Sequence, residues 1–222
     1  MNGGNHPVRD LCLFDLDGTL IDPKEGITKS IIYALDHFDI QVTNPDELEK
    51  FIGPPLRDSF CKYYNFSIDE TERVIEKYRE YFTKTGIYEN TVYPGIFELL
   101  DQLKNNNVTM AIATSKPIAF AEVIIEHFGF SKYFDIIAGC ELDGTRSKKN
   151  EVIDYALNSL DPKRVKSTVM IGDRKYDIIG AKEAKIDSIG VTWGYGSYKE
   201  LSGAGAALIV NSPSELGSML LN

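Results

Sequence analysis

A few residues in this chain combine side-chain type and spacing in a way that suits chemistry. Asp15 and Asp17, with one residue between them, follow on the apolar run Leu11–Phe14. Far downstream the run Val169–Ile171 breaks into Gly172-Asp173, with Asp177 four residues on, and the run Val108–Thr114 passes into Ser115. Lys148 and Lys149 stand just ahead of a helix-patterned stretch. Carboxylates can attack an electrophile, carry a proton or bind a cation, whereas a hydroxyl and an ammonium can hold an anion. Each piece alone is ordinary turn or capping chemistry. Together they describe a site for an anionic substrate whose charge must be met by a lysine, a helix N-terminus or a bound cation.

These side chains need elements to position them. Leu11–Phe14, Val108–Thr114, Ile136–Ala138, Ser167–Ile171, Ser188–Val191 and Ala207–Val210 are short apolar runs with helix-patterned segments between most of them. That alternation predicts an α/β protein with a parallel sheet, three layers deep and Rossmann-like. In such sheets ligands bind outside the carboxyl ends of the strands, where the singled-out residues fall. Between Pro23 and Tyr93 the pattern changes. Ile27–Phe38, Asp46–Phe51, Leu56–Tyr64 and Asp69–Lys84 carry helical spacing, with a capping box from Ser67 and Glu70. The expected division is a core of residues 1–22 and 94–222 and a small all-helical cap of residues 23–93. Seven of the twelve tyrosines fall in that cap and are expected mostly to pack its helices.

Composition narrows the partners. In 222 residues, 24 Lys and Arg against 33 Asp and Glu give a net charge of −9, which repels nucleic acid and anionic lipid. The expected partners therefore include no nucleic acid and no membrane, an anionic substrate needs its charge met locally, and the protein is expected to be a monomer or homodimer. Cys12, Cys61 and Cys140 are widely spaced and make no metal-binding pattern, so they read as reduced thiols. Residues 1–10 contain no apolar signal region and no stretch is long enough to span a bilayer, so the expected location is cytoplasmic.

Asp15-Leu16-Asp17-Gly18-Thr19-Leu20 resembles the first motif of the haloacid dehalogenase superfamily of phosphotransferases. Thr114, Lys149 or Lys148, and Gly172-Asp173-Arg174-Lys175-Tyr176-Asp177 resemble its second, third and fourth motifs, in that order. The helical insert is similar to the family's C1-type cap. Phe51-Ile52-Gly53-Pro54-Pro55-Leu56 and the stretch from Asp187 to Ser197 resemble the phosphoglycolate phosphatase-like branch.

The resemblance implies hydrolysis of a small phosphorylated metabolite, a phosphomonoester such as phosphoglycolate or a nucleoside monophosphate, through an aspartyl-phosphate. A phosphomonoester dianion repels a carboxylate nucleophile unless a divalent cation and a lysine neutralise the site, and Mg2+ suits hard oxygen ligands. Asp15 is the expected nucleophile and Asp17 the general acid and base. Thr114, Ser115 and Lys149, with the N-terminus of a helix opening at Ser115-Lys116-Pro117, are expected to hold the phosphoryl oxygens. Asp15, the backbone carbonyl of Asp17, Asp173 and Asp177 are the expected metal group, Asp177 either as a ligand or as the residue that orients one. Lys149 fits the third motif better than Lys148. Arg57 is a candidate for a substrate carboxylate, set against a plain exposed helix arginine.

His6, His37 and His127 fall outside every motif, and Trp193 is expected to pack. Lys185 stands where many relatives have glycine, a costly choice if the position needs positive φ. Two rivals share much of the pattern: a phosphomutase of the β-phosphoglucomutase kind, and a receiver module that keeps its aspartyl-phosphate as a signal. An acid two residues after the nucleophile, and the helical insert, favour turnover over signalling.

Overall fold

In a computed structural model, which describes residues 9–161, 165 and 167–221, six parallel strands form the sheet on which the site is built. His6 and most of the N-terminal stretch lie outside the described residues. In chain order the strands are β1 (Leu11–Phe14), β4 (Thr109–Pro117), β5 (Ile136–Cys140), β6 (Thr168–Gly172), β7 (Asp187–Val191) and β8 (Leu208–Val210). They lie side by side as β5-β4-β1-β6-β7-β8. The sheet therefore grows outward in both directions from β1, and the carboxyl ends of β4, β1 and β6 meet at the point where the winding reverses.

Alternation along β1 explains why the strand is buried on both faces. Cys12 and Phe14 point into one apolar layer, and Leu11 and Leu13 into the other. The Leu11 and Leu13 layer is thin. Ala111, Ala113 and Ala138 line it, so helices α6 (Lys149–Asn158) and α7 (Lys175–Glu183) approach closely through Val152, Ile153, Ala156 and Ala181. The other face carries α4 (Ile96–Asn105), α5 (Ile118–His127) and α9 (Pro213–Leu221), and α8 (Tyr198–Ala204) lies beside α7 and β8.

Between β1 and β4 the chain leaves the sheet. A two-residue antiparallel ribbon, β2 (Ile21–Asp22) with β3 (Thr91–Val92), closes the base of this excursion. It was not anticipated from sequence, because two residues are too few to show a period. Above it lie α1 (Lys24–Asp36), α2 (Leu56–Tyr64) and α3 (Ile68–Phe82). The capping box forms as expected: Ser67 Oγ accepts from the Glu70 backbone N–H, and Glu70 accepts from the Ser67 N–H. Residues Pro45–Phe51 are helical as expected but form a 3-10 helix, held at its start by Asn44. The insert's own core, including Ile31, Leu35, Phe60 and Val74, runs without a break into the Phe14 layer of the sheet.

Two local outcomes concern the backbone. Lys185 does adopt positive φ, +59°, at the turn into β7, where an L side chain costs roughly 1 kcal/mol relative to glycine. Gly18, at φ +79°, turns the chain directly after Asp17, and a Cβ there would fall 2.3 Å from an Asp173 oxygen. The glycine lets the first loop lie against the fourth.

Candidate active site

Asp15 follows β1, its backbone N–H donating to Ile171 of β6, and its side chain emerges between β4 and β6. One carboxylate oxygen from each of Asp15, Asp173 and Asp177 lies within 4.8 Å of the others, and all three residues are buried. Lys149, the first residue of α6, reaches into this group. Its Nζ is 3.0 Å from Asp15 Oδ1 and 2.8 Å from Asp177 Oδ1, and it donates to the Ala113 carbonyl at 3.1 Å. Lys148 is exposed, at the end of the preceding loop.

Three carboxylates against one ammonium leave an excess of negative charge out of water. The consequence is visible in Asp173 and Asp177. Burial pushes Asp173 well above the usual aspartate range, reinforced by repulsion from Asp177 and Asp15. Burial likewise pushes Asp177 up to about 6, with the Lys149 charge opposing and Asp15 adding to it. Burial works against the charged form of Lys149, but Asp15 and Asp177 outweigh it and raise its pKa. A cluster of hard oxygens that binds protons this readily suits a divalent cation of the Mg2+ kind.

The fourth motif is held by backbone. Asp177 Oδ2 accepts from the Arg174 N–H at 3.1 Å, and Asp173 Oδ2 accepts from the Tyr195 N–H at 2.7 Å. The loop after β7 presses on Asp173 so closely that a Cβ on Gly196 would lie 1.8 Å from the Asp173 carbonyl oxygen. Trp193, expected only to pack, also donates from Nε1 to the Thr19 carbonyl, tying this loop to the one after β1.

On its other side Asp15 borders a cavity of about 330 Å3 between the sheet and the insert, lined also by Asp17, Thr114, Ser115 and Lys116. The Asp17 carboxylate stands apart from the three-carboxylate group. Its Oδ2 is 2.7 Å from Lys116 Nζ, and its Oδ1 is buried with no hydrogen-bond partner among the described residues. Burial raises the Asp17 pKa and Lys116 opposes the rise. Thr114 is buried, its Oγ1 accepting from the Lys116 N–H at 3.2 Å, and Ser115 is half-buried at the cavity wall. Arg57 reaches the cavity mouth from α2 but is about half exposed and sits 2.5 Å from Glu72.

The helix expected to open at Ser115-Lys116-Pro117 begins later. β4 runs through Pro117 and α5 starts at Ile118. Proline restricts the residue before it to extended backbone, which holds Lys116 in the strand. The strand's register shifts between Ala113 and Pro117, so Thr114, Ser115 and Lys116 all reach the cavity. The place of Lys116 in the run after Thr114, just ahead of a proline, was the signal that could have marked it as a site residue. Tyr195 falls within the stretch that resembles the phosphoglycolate phosphatase-like branch, but its role arises from a contact across 22 residues that the stretch itself does not reveal.

A family model described as haloacid dehalogenase-like hydrolase matches residues 12–191. The chain is 46% identical over 189 residues to a 5'-nucleotidase from Pseudomonas aeruginosa, covering 85% of each. It is 38% identical over 187 residues to the tyrosine-protein kinase PtkA from Mycobacterium tuberculosis, covering 84% of this chain and 63% of that one. The crystal structure of a predicted phosphatase from Clostridium acetobutylicum matches with a TM-score of 0.92 and 50% identity, covering 97% of this chain and 99% of the other. Among the described residues no helix is long and apolar enough to cross a membrane.

Proposed function

The chain belongs to the haloacid dehalogenase-like hydrolases and is a phosphatase of that family, and from that premise we propose that it hydrolyses a small phosphomonoester through an aspartyl-phosphate on Asp15, with Mg2+ as cofactor. The observation that carries this reading is the double position of Asp15, which belongs to the three-carboxylate cluster and also lines the cavity. Substrate space and cation site meet at one side chain.

Asp15, Asp173 and Asp177 would hold Mg2+, with the Asp17 backbone carbonyl added by family resemblance. The ion, when bound, would neutralise charge on the cluster and on the phosphoryl oxygens. Asp15 Oδ attacks phosphorus as the bond to the leaving alcohol breaks. Asp17, whose protonated form burial favours, gives a proton to that alcohol. It then takes a proton from the water that attacks the aspartyl-phosphate, releasing inorganic phosphate and regenerating Asp15. Lys149 holds Asp15 in place and, with the Thr114 hydroxyl and Ser115, meets the negative charge of the transferring group. Residues 23–93 act as a cap that closes over the substrate and limits water until transfer is under way. Phosphoglycolate and nucleoside monophosphates are the candidate substrates, and the free cysteines accord with a cytoplasmic location.

Phosphate release from a panel of phosphomonoesters, with Mg2+ or EDTA, tests the reading on wild type and Asp15→Asn. Release that needs both Mg2+ and Asp15 is the expected result. A long-lived aspartyl-phosphate without phosphate release would instead support a mutase or receiver.

A further inference from the structure

Two stretches singled out in the sequence meet away from the reacting groups. Arg174 stands inside the fourth motif, between Asp173 and Asp177, and Ile52-Gly53 stands inside the motif of residues 51–56 in the insert. The Arg174 guanidinium joins them, its Nη1 donating to the Ile52 carbonyl. Gly53 lies against the arginine stem: its φ is +102°, and a Cβ there would fall 3.0 Å from Arg174 Cγ. Residues 53–58 then line the cavity that meets Asp15.

The guanidinium is aimed from the sheet side. Its Nε donates to Glu200 Oε1 at 3.0 Å, and the same oxygen accepts from the Lys175 N–H at 3.0 Å, so the carboxylate is fixed against the start of α7. Glu200 sits in the first turn of α8, its own N–H donating to Ser197 Oγ. The arginine side chain is 14% exposed, which shields its hydrogen bonds from competing water. Its acceptor on the insert is main chain that any residue at position 52 would present, so the bond fixes where the segment lies. Arg79 makes a bond in the opposite sense, from α3 to the Leu142 carbonyl, but no carboxylate among the described residues holds its direction.

Arg174 also serves the carboxylate cluster. Its backbone N–H donates to Asp177 Oδ2 at 3.1 Å, and Asp173 directly precedes it. Opening of the insert must break the bond to Ile52, whereas the bonds to Glu200 and Asp177 lie on the sheet side and survive. We propose that Arg174 is a positioning residue that sets where residues 53–58 come to rest over the cavity and makes that seating depend on an ordered loop at Asp173 and Asp177. This rests on the cap closure proposed above and goes beyond it in naming the residue that fixes the closed position.

Hydrogen exchange of a peptide covering residues 51–61, in the full chain and without substrate, tests the seat apart from turnover. Arg174→Met keeps the stem and removes the fork, so exchange of that peptide should quicken at least about fivefold while β1 and β6 keep wild-type protection. MgCl2 should slow exchange of the peptide in wild type and leave it unchanged in Arg174→Met. With p-nitrophenyl phosphate, KM should rise at least about fivefold and kcat should change much less, as expected for a residue that shapes the enclosure without touching the reacting atoms. Glu200→Ala leaves Arg174 in place but unaimed. It should move exchange and KM in the same direction by a smaller factor, and it decides the matter if Arg174→Met does not fold. Equal exchange in wild type and Arg174→Met, or the same response to MgCl2 in both, overturns the proposal. So does faster exchange spread evenly over β1 and β6, the mark of lost stability alone. A wild type that releases no phosphate would remove the hydrolase reading and leave the exchange result to decide the seat.

Discussion

Lys116 Nζ stands 2.7 Å from Asp17 Oδ2 with both side chains nearly sealed from solvent, at 5% and 13% exposure. The pair joins the proposed general acid to a strand that also carries Thr114, so the acid is positioned by the sheet and not by a mobile loop. Two influences act on the acid in opposite directions. Burial favours its protonated form and the ammonium favours its carboxylate.

The pH dependence of turnover should report that opposition. Protonation of the leaving alcohol needs neutral Asp17, so kcat/KM falls on the alkaline side as Asp17 loses its proton. Lys116→Met removes the cation that lowers its pKa, so the alkaline limb should move to higher pH while the overall rate drops. A pH profile of phosphate release checks this, and a limb that stays in place or moves down would remove Lys116 from this role.

Asp15→Asn should abolish phosphate release, by roughly 10^3-fold or more, since no other described carboxylate both lines the cavity and joins the cluster. Circular dichroism should show the fold retained, because the amide fills the same space. Turnover near wild type would eliminate Asp15 as nucleophile.

The two adjacent lysines should separate cleanly. Lys149→Met strips the charge facing Asp15 and Asp177, leaving both buried and unpaired, and should cost about 3–5 kcal/mol in urea unfolding together with activity. Lys148→Ala removes an exposed side chain and should stay within about 0.5 kcal/mol of wild type. Equal effects would contradict the distances at Lys149.

Stability should depend on pH through Asp177. Its folded-state pKa of about 6 lies above the ordinary aspartate value of 3.8, so the folded protein holds the extra proton between these values. Its contribution is fully present below the lower value and is lost as pH rises through the higher one. In EDTA, the Tm of wild type relative to Asp177→Asn should therefore fall from pH 4 to pH 7. Added MgCl2 should raise the wild-type Tm more at pH 7 than at pH 5, because protons compete for the same oxygens. A Tm difference that is flat with pH, or a metal shift that grows on acidification, would count against the cluster as a cation site.

The connections to the insert should tighten on closure. Asp22 and Thr91 pair in the ribbon of β2 and β3, and Tyr195, whose backbone holds Asp173, places its hydroxyl against the Asp22 carboxylate. Hydrogen exchange over residues 20–23 and 91–95 should slow when Mg2+ and a phosphate analogue are bound. Unchanged protection there would argue against these segments as the hinge.

What could be read from the sequence was whatever depends on local pattern. Short apolar runs gave the strands of the parallel sheet, because a strand buried on both faces must be apolar throughout, and Ser67 with Glu70 marked the start of α3 because a capping box closes within one turn. Asp15, Asp17, Thr114, Asp173 and Asp177 stood out because each lies at the end of such a run or shortly after it, and a parallel sheet sets those ends at one edge. The tertiary structure decided the rest, and the reason in each case is distance along the chain. That Lys149 and not Lys148 reaches Asp15 depends on the seating of α6 against Ala111, Ala113 and Ala138. The pairing of Lys116 with Asp17 joins residues 99 apart in number through neighbouring strands. The Tyr195 brace on Asp173, the apolar walls of the cavity and the raised pKa values of Asp173 and Asp177 all come from groups that only packing brings together, since desolvation and Coulomb interactions follow separation in space.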